Sequence, residues 1–285
     1  NFEPEFAPII DYFVDEYAAG RTPNPCVRCN IDLKFGRLLR YADLLDAAYV
    51  ATGHYARVLR PEPRLARALN TAKDQSYVLF GIRRADLGRC LLPLGDFADK
   101  REVRRIAAGL GLHVADKPDS QEICFVPGQD YRRLLDERRP GLRRPGQIRD
   151  ERGAVVGVHE GVAAYTVGQR RGLGAFGAPR YVTRLDVLSN VVTIGPREHL
   201  LAQGLTADDV NWLVNPPAVG AWRPAAVKIR HMHAPAAAQV CRMASGAVDV
   251  RFDQAQPAVT PGQAAVFYDG DVVLGGGWIA SAAGQ

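Results

Sequence analysis

The sequence contains no run of about 18 apolar residues, the length a helix needs to cross a bilayer. It opens Asn1-Phe2-Glu3-Pro4-Glu5, acidic and mixed, without the basic and apolar regions of a secretory leader. Cysteine is scarce and odd in number: Cys26, Cys29, Cys90, Cys124 and Cys241. That usage argues against a secreted disulfide scaffold and places the expected home in a reducing cytoplasm, with no membrane partner. No second C-x-x-C and no H-x-x-x-H is present to complete a zinc site with Cys26 and Cys29. Lysine is nearly missing too: Lys34, Lys73, Lys100, Lys117 and Lys228 are the only lysines among 36 cationic side chains. Internal repeats and low-complexity tracts are absent.

What remains is an ordinary folded composition, 47% hydrophobic and 24% charged over 285 residues, enough for two or three compact units. The net charge of +5 favours a polyanionic partner. It is carried by arginine, whose planar fork suits phosphates and bases. A genome rich in G and C would produce the same bias. The doublets Arg83-Arg84, Arg104-Arg105, Arg132-Arg133, Arg143-Arg144 and Arg170-Arg171 are dispersed and define no single patch.

Two cysteine segments stand out: Thr22-Pro23-Asn24-Pro25-Cys26-Val27-Arg28-Cys29-Asn30 and Asp119-Ser120-Gln121-Glu122-Ile123-Cys124-Phe125. Pro23 and Pro25 fix their own φ and hold Thr22 and Asn24 extended, so the first loop is stiff. Asn30 is the expected cap of a helix carrying Leu33, Phe35, Leu38 and Leu39. Cys29 would then sit just ahead of free helix N–H groups, with Arg28 and Lys34 near, and its thiol pKa should fall. A C-x-x-C pair alone leaves redox, metal and structural roles open. Cys90 and Cys241 lie in apolar surroundings and read as small core residues. Reactive sulfur on a basic chain points to sulfur chemistry on RNA.

Residues 1–138 alternate helix and strand. Ile9, Ile10, Phe13, Val14 and Tyr17 mark one helical face, stopped at Gly20, and Ala47–Gly53 reads as a buried parallel strand. Asp99 with Glu102 resembles a capping box for a helix through Val103, Ile106, Ala107 and Leu110, ended by Gly111. An α/β layer follows. Arg138-Arg139-Pro140-Gly141 and Arg144-Pro145-Gly146 are linker-like. Residues 139–204 form a glycine-rich, β-rich central unit with strands at Tyr181–Val187 and Val191–Ile194. Residues 205–285 alternate as strands at Val227–Arg230, Val248–Phe252 and Ala265–Tyr268, with a hairpin at Asp269-Gly270, which predicts a small β-barrel. Gly275-Gly276-Gly277 lacks the Lys-Ser/Thr of a phosphate loop and reads as a barrel-closing turn.

Six ordered segments resemble motifs of the bacterial tRNA-specific 2-thiouridylase family. They are Thr22-Pro23-Asn24-Pro25-x-x-x-Cys29-Asn30, Ala51–Tyr55, Lys73–Tyr77, Asp119-Ser120-x-x-Ile123-Cys124-Phe125, Tyr165–Gly174 and Thr260–Gln263. The resemblance implies an adenine-nucleotide alpha-hydrolase-like (Rossmann-like) α/β catalytic domain, a β-rich central tRNA-binding domain and a C-terminal β-barrel. It implies ATP-dependent (Mg-ATP) sulfur transfer to C2 of the wobble uridine of tRNA. Cys124 would carry the sulfur as a persulfide received from a donor protein. Cys29 would be the nucleophile that resolves it and ends disulfide-bonded to Cys124. Gly53 would let adenosine approach the end of a strand. Asn24, Pro25 and Cys26 would line the flipped target base. His54, Lys73, Asp74, Gln75, Arg230, His231 and Gln263 would contact tRNA.

Two departures matter. The family's ATP-grasping Ser-Gly-Gly-x-Asp-Ser loop is absent and would belong upstream of Asn1, so the chain reads as an N-terminally incomplete member that binds ATP poorly. Cys26 stands where many relatives carry Asp. Two alternatives accompany the reading: an iron–sulfur cluster held by Cys26, Cys29 and Cys124, and a tRNA-binding protein without catalysis.

Overall fold

The computed structural model describes residues 3–113, 115, 123–126, 128 and 130–284. Asp119 to Glu122, the first half of the second cysteine motif, lie outside the described residues. None of the described helices is long and apolar enough to cross a membrane.

Helix α1 (Glu3–Ala18) buries Ile9, Phe13, Val14 and Tyr17, the face its periodicity predicts, and gives way to Gly20 in the left-handed region (φ 70°). The second helix begins earlier than expected. Asn24, not Asn30, is its cap: the Asn24 side-chain oxygen accepts from Val27 N–H at 3.3 Å, and Pro25 takes the first helical position. The helix runs from α2 (Pro25–Arg28) through a wide π-type stretch (Cys29–Arg37) into α3 (Leu38–Leu44). Asn30 is inside it and 3% exposed, its Nδ2 donating to Val78 O at 3.2 Å. The two prolines carried the information that the asparagine at 30 did not.

The expected Ala47–Gly53 strand contracts to β1 (Val50–Ala51). After it, β2 (Ala56–Leu59) and β3 (Arg64–Arg67) form a hairpin, and β4 (Cys90–Leu91) lies parallel to β1, with Val50 opposite Cys90. Among the described residues β1 pairs with β4 alone, and that ladder is two residues long. Cys90 and Cys241 are buried, as expected. Asp99 caps α4 (Lys100–Gly109) through Arg101 N–H at 2.9 Å, and Gly111 (φ 67°) ends it. Helix α4 buries none of its residues.

Helix α5 (Tyr131–Arg138) leads into a four-stranded sheet of β5 (Gly146–Arg149), β6 (Val155–His159), β7 (Tyr181–Asp186) and β8 (Val191–Gly195), in the order β6-β5-β8-β7. The β7–β8 turn uses Asn190 at φ 52°. The remaining strands are β9 (Leu201–Trp212), β10 (Trp222–Lys228), β11 (Ala236–Arg242), β12 (Val248–Pro257), β13 (Ala264–Asp269) and β14 (Val272–Ala283). They run β13-β10-β11-β12-β9-β14, and pairing of β13 with β14 closes the barrel.

Alternation along β13 ties barrel and α/β part together. Ala265 and Phe267 belong to the barrel core, while Ala264, Val266 and Tyr268 pack with Tyr77, Leu79, Phe80 and Leu87 of the first region. The β2–β3 hairpin adds to the barrel sheet through Ala66 opposite Val272, so these residues extend the barrel rather than the α/β layer. Gly275-Gly276-Gly277 is not a turn but the middle of β14, where a Cβ on Gly276 would lie 2.8 Å from both Ala265 O and the Phe80 ring. The glycines let opposing backbone and an aromatic ring approach.

Candidate active site

The stiff Thr22–Pro25 segment delivers Cys26 to the first turn of its helix and Cys29 one turn later. Cys26 is exposed, Cys29 half-buried and Cys124 exposed, and all three are free thiols. Desolvation is the main cause that raises the pKa of both Cys26 and Cys29, and Cys124, distant in sequence, adds to the rise in each; Phe125 beside it packs on Phe6 and Phe13 of α1. The expected lowering of the Cys29 pKa is overturned. Burial pushes the Cys29 thiol up and the Lys34 ammonium pulls it only partly back, because the helix N-terminus lies a turn away at Pro25. Cys26 reaches the surface, yet the protein around its thiol desolvates it, and this, then Cys124 and Cys29, raises its pKa too. Arg28 does not help, being spent on Asp32 at 3.0 Å and on the Tyr12 ring at 5.5 Å. Among the described residues no three His, Cys, Asp or Glu side chains group closely enough to hold a metal ion. Cys26, Cys29 and Cys124 are all described, so the cluster alternative gains no support from their geometry.

Lys34, five residues beyond Cys29, would point away from it on an α-helix; the π-type stretch, with about 4.4 residues per turn, returns it toward the same face. Its Nζ is 3.5 Å from His54 Nε2, and His54 Nδ1 is 2.8 Å from Thr52 Oγ1. An ammonium only donates, so Nε2 accepts and Nδ1–H donates to Thr52. His54 is 7% exposed and, through burial and then Lys34, its pKa falls to about 4. It is a buried ring held between Thr52 and Lys34. The sequence reading named His54 but missed this Thr52–His54–Lys34 chain.

Gly53 is exposed just past β1, the end of a parallel strand where α/β sheets take ligands. A Cβ there would meet only Leu94 Cδ1 at an ordinary 3.6 Å. No protein contact demands glycine, which fits a position kept open for a nucleotide.

The 73–75 segment divides. Lys73 is half-exposed. Asp74 is 4% exposed and accepts from Ala68 N–H (3.0 Å), Ser76 N–H (3.2 Å) and Ser76 Oγ–H (2.9 Å), with Arg67 Nε at 3.6 Å. Gln75 exchanges bonds with the Tyr55 backbone at 2.8 and 3.0 Å. Asp74 and Gln75 therefore shape the loop from within, and Asp74 has no face to offer a polyanion. Arg230 is half-buried, donating to Pro257 O at 3.1 Å, and His231 is exposed, its ring centroid 6.1 Å from that of Tyr77. Gln263 uses its amide on the thiol loop: Nε2 donates to Thr22 O (3.1 Å) and Pro23 O (3.2 Å). Thr22 Oγ1 also meets Thr166 Oγ1 at 3.3 Å. A cavity of about 410 Å³ opens between the three regions at this junction, bordered by Thr22, Thr166, Gln169, Arg230, Thr260 and Gln263.

Comparison with known proteins covers nearly all of the chain. Residues 1–128 match the family described as tRNA methyl transferase HUP domain, residues 134–196 the tRNA methyl transferase PRC-barrel domain, and residues 202–279 the aminomethyltransferase beta-barrel domain. The chain is 49% identical over 284 residues to the tRNA-specific 2-thiouridylase MnmA of Geotalea uraniireducens, covering 98% of this chain and 75% of that protein. It is 51% identical to that of Heliobacterium modesticaldum (98% and 74% covered) and 50% identical to that of Geobacter metallireducens (99% and 77%).

Proposed function

Because the chain belongs to the tRNA-specific 2-thiouridylase family, we propose that it replaces the C2 oxygen of a tRNA uridine, the wobble position, with sulfur. The observation that carries the reading is that the two cysteine motifs share α1 as a neighbour: Phe125, next to Cys124, packs on the Phe6 and Phe13 rings at 5.6 and 5.3 Å, and α1 also packs on the helix that carries Cys29. One thiol cannot do this work alone. Cys124 holds the transferable sulfur as the outer atom of a persulfide supplied by a donor protein. That outer sulfur forms the bond to C2 as the bond from C2 to its activated oxygen breaks and the oxygen departs with the activating group. Cys29 thiolate attacks the inner sulfur, the S–S bond of the persulfide breaks toward the outer atom, and a Cys29–Cys124 disulfide results. A thiol reductant then resets the pair. ATP, when bound, makes the C2 oxygen a leaving group, and the open position at Gly53 suits an adenosine.

Lys34 eases the pKa of Cys29 without bringing it below the ordinary thiol value. With burial alone the thiol would be a poor nucleophile; the ammonium, held by neutral His54, offsets part of that penalty. Asn24 and Pro25 set the helix start that presents Cys26 at the rim, where an everted pyrimidine would lie. Lys73, Arg230 and His231 supply cationic or polar surface for the RNA. In domain terms, residues 1–138 carry the chemistry, and residues 139–204 and 205–285 add RNA-binding surface.

In the complete protein, Cys124→Ser and Cys29→Ser should each abolish 2-thiouridine formation, measured by nucleoside mass spectrometry, while tRNA binding persists. Thiolation surviving either substitution would contradict the roles.

A further inference from the structure

We propose that Gln263, at the mouth of the barrel, is a positioning residue for the thiol loop, and that through it the barrel forms part of the catalytic centre. The inference rests on the sulfur-transfer reading above and assigns this side chain a role other than RNA contact.

The geometry is specific. Both Nε2 donors of Gln263 are consumed by consecutive carbonyls, Thr22 O at 3.1 Å and Pro23 O at 3.2 Å. Thr22 N–H donates to Pro261 O at 2.9 Å, so the same barrel turn grips the loop twice. Gly262, between them, has φ 88°, and a Cβ there would lie 2.9 Å from Thr22 O and 3.0 Å from Arg21 Cβ. The barrel turn and the loop are thus in contact with no room for a side chain. A third tether comes from the central sheet region, Thr22 Oγ1 to Thr166 Oγ1 at 3.3 Å.

The tethers act at Thr22 and Pro23, just before the stiff Asn24-Pro25 entry to the helix that carries Cys26 and Cys29. Pro23 and Pro25 lack N–H groups, so the loop cannot anchor itself by an internal ladder. Its external carbonyl contacts fix where the Asn24-Pro25 helix start sits against the barrel, and therefore where the Cys29 sulfur lies relative to Cys124. Displacement of a nucleophile by about 1 Å is enough to cost a large factor in rate. A residue that touched only RNA would alter tRNA affinity and leave the sulfurs unmoved.

The test uses Gln263→Leu, which keeps the bulk and removes both donors, and Thr166→Val, which keeps the shape and cuts the third tether. Three quantities are read on each protein: the tRNA Kd, the single-turnover thiolation rate at saturating tRNA, and the rate at which diamide oxidises Cys29 and Cys124 to a mutual disulfide without tRNA. The expected result for Gln263→Leu is a tRNA Kd within about twofold of the parent, with thiolation and Cys29–Cys124 cross-linking each slowed about tenfold or more. Thr166→Val should slow cross-linking in the same direction. A Kd weakened tenfold with cross-linking and saturated rate unchanged would overturn the proposal and return Gln263 to RNA contact. Because cross-linking needs neither tRNA nor turnover, this outcome is separate from any failure of the cysteine roles themselves.

Discussion

At the scale of single residues, the site is a set of polar groups whose environments were set by burial more than by sequence neighbours. Cys29 shows this: the helix N-terminus expected to activate it lies at Pro25, and the ammonium of Lys34 acts instead. Lys34→Met should raise the Cys29 thiol pKa, seen as iodoacetamide alkylation shifting to higher pH; an unchanged profile would remove Lys34 from the account. His54 gives a second residue-level test. Its folded pKa of about 4 lies below its unfolded value near 6.5. Above the unfolded pKa the ring is neutral in both states. As pH falls through that value the unfolded chain binds a proton that the fold refuses, so stability drops until the folded pKa is reached. The loss attributable to His54 is on the order of 3 kcal/mol between pH 7 and 4. Urea unfolding at several pH values should show a flatter dependence in His54→Gln than in the parent. Asp74, fully hydrogen-bonded inside its loop, belongs to the same class: Asp74→Ala should destabilise by about 2–4 kcal/mol in urea titrations, because the Ser76 and Ala68 donors lose their acceptor.

At the scale of elements, legibility followed local chemistry. Helix α1, the Asp99 cap, the Asp269-Gly270 hairpin and the barrel strands were readable because their signals are short-range: a 3.6-residue stripe, a capping aspartate, alternation and a turn residue with positive φ. Failures came where distant backbone decides. The start of the thiol helix shifted from Asn30 to Asn24 because Asn30 is claimed by Val78 O from another segment. The wide π-type stretch after Cys29 has no sequence signature. The triple glycine of β14 looked like a turn because the opposing backbone and Phe80 that exclude side chains lie elsewhere in the chain. Gly276→Ala should cost about 1–3 kcal/mol, read as a lower thermal midpoint, since the carbonyl at 2.8 Å cannot yield freely. A neutral effect would show that the strand relaxes more easily than its packing suggests.

At the scale of the whole molecule, three regions meet around one loop. Strand β13 is buried on both faces and joins the barrel core to the α/β core, while Gln263 and Thr166 reach the cysteine loop from barrel and central sheet. The motifs named this neighbourhood; they could not tell which of its residues face RNA and which face one another. Asp74, Gln75, His54 and Gln263, all expected on tRNA, spend their polar atoms within the protein. Under the proposed function, Lys73, Arg230 and His231 are the residues of that set offered to the polyanion, beside the net charge of +5. Binding of tRNA should accordingly weaken by about tenfold or more between roughly 50 and 200 mM salt, as phosphate contacts release counterions; a flat response would remove tRNA as the partner.

The most direct measurement is a single turnover of persulfide-loaded protein with ATP and tRNA, without reductant, followed by peptide mapping of the cysteines and quantitation of modified nucleoside. One Cys29–Cys124 disulfide for each 2-thiouridine formed is the predicted result. Thiolated tRNA appearing while Cys29 stays a free thiol would contradict it.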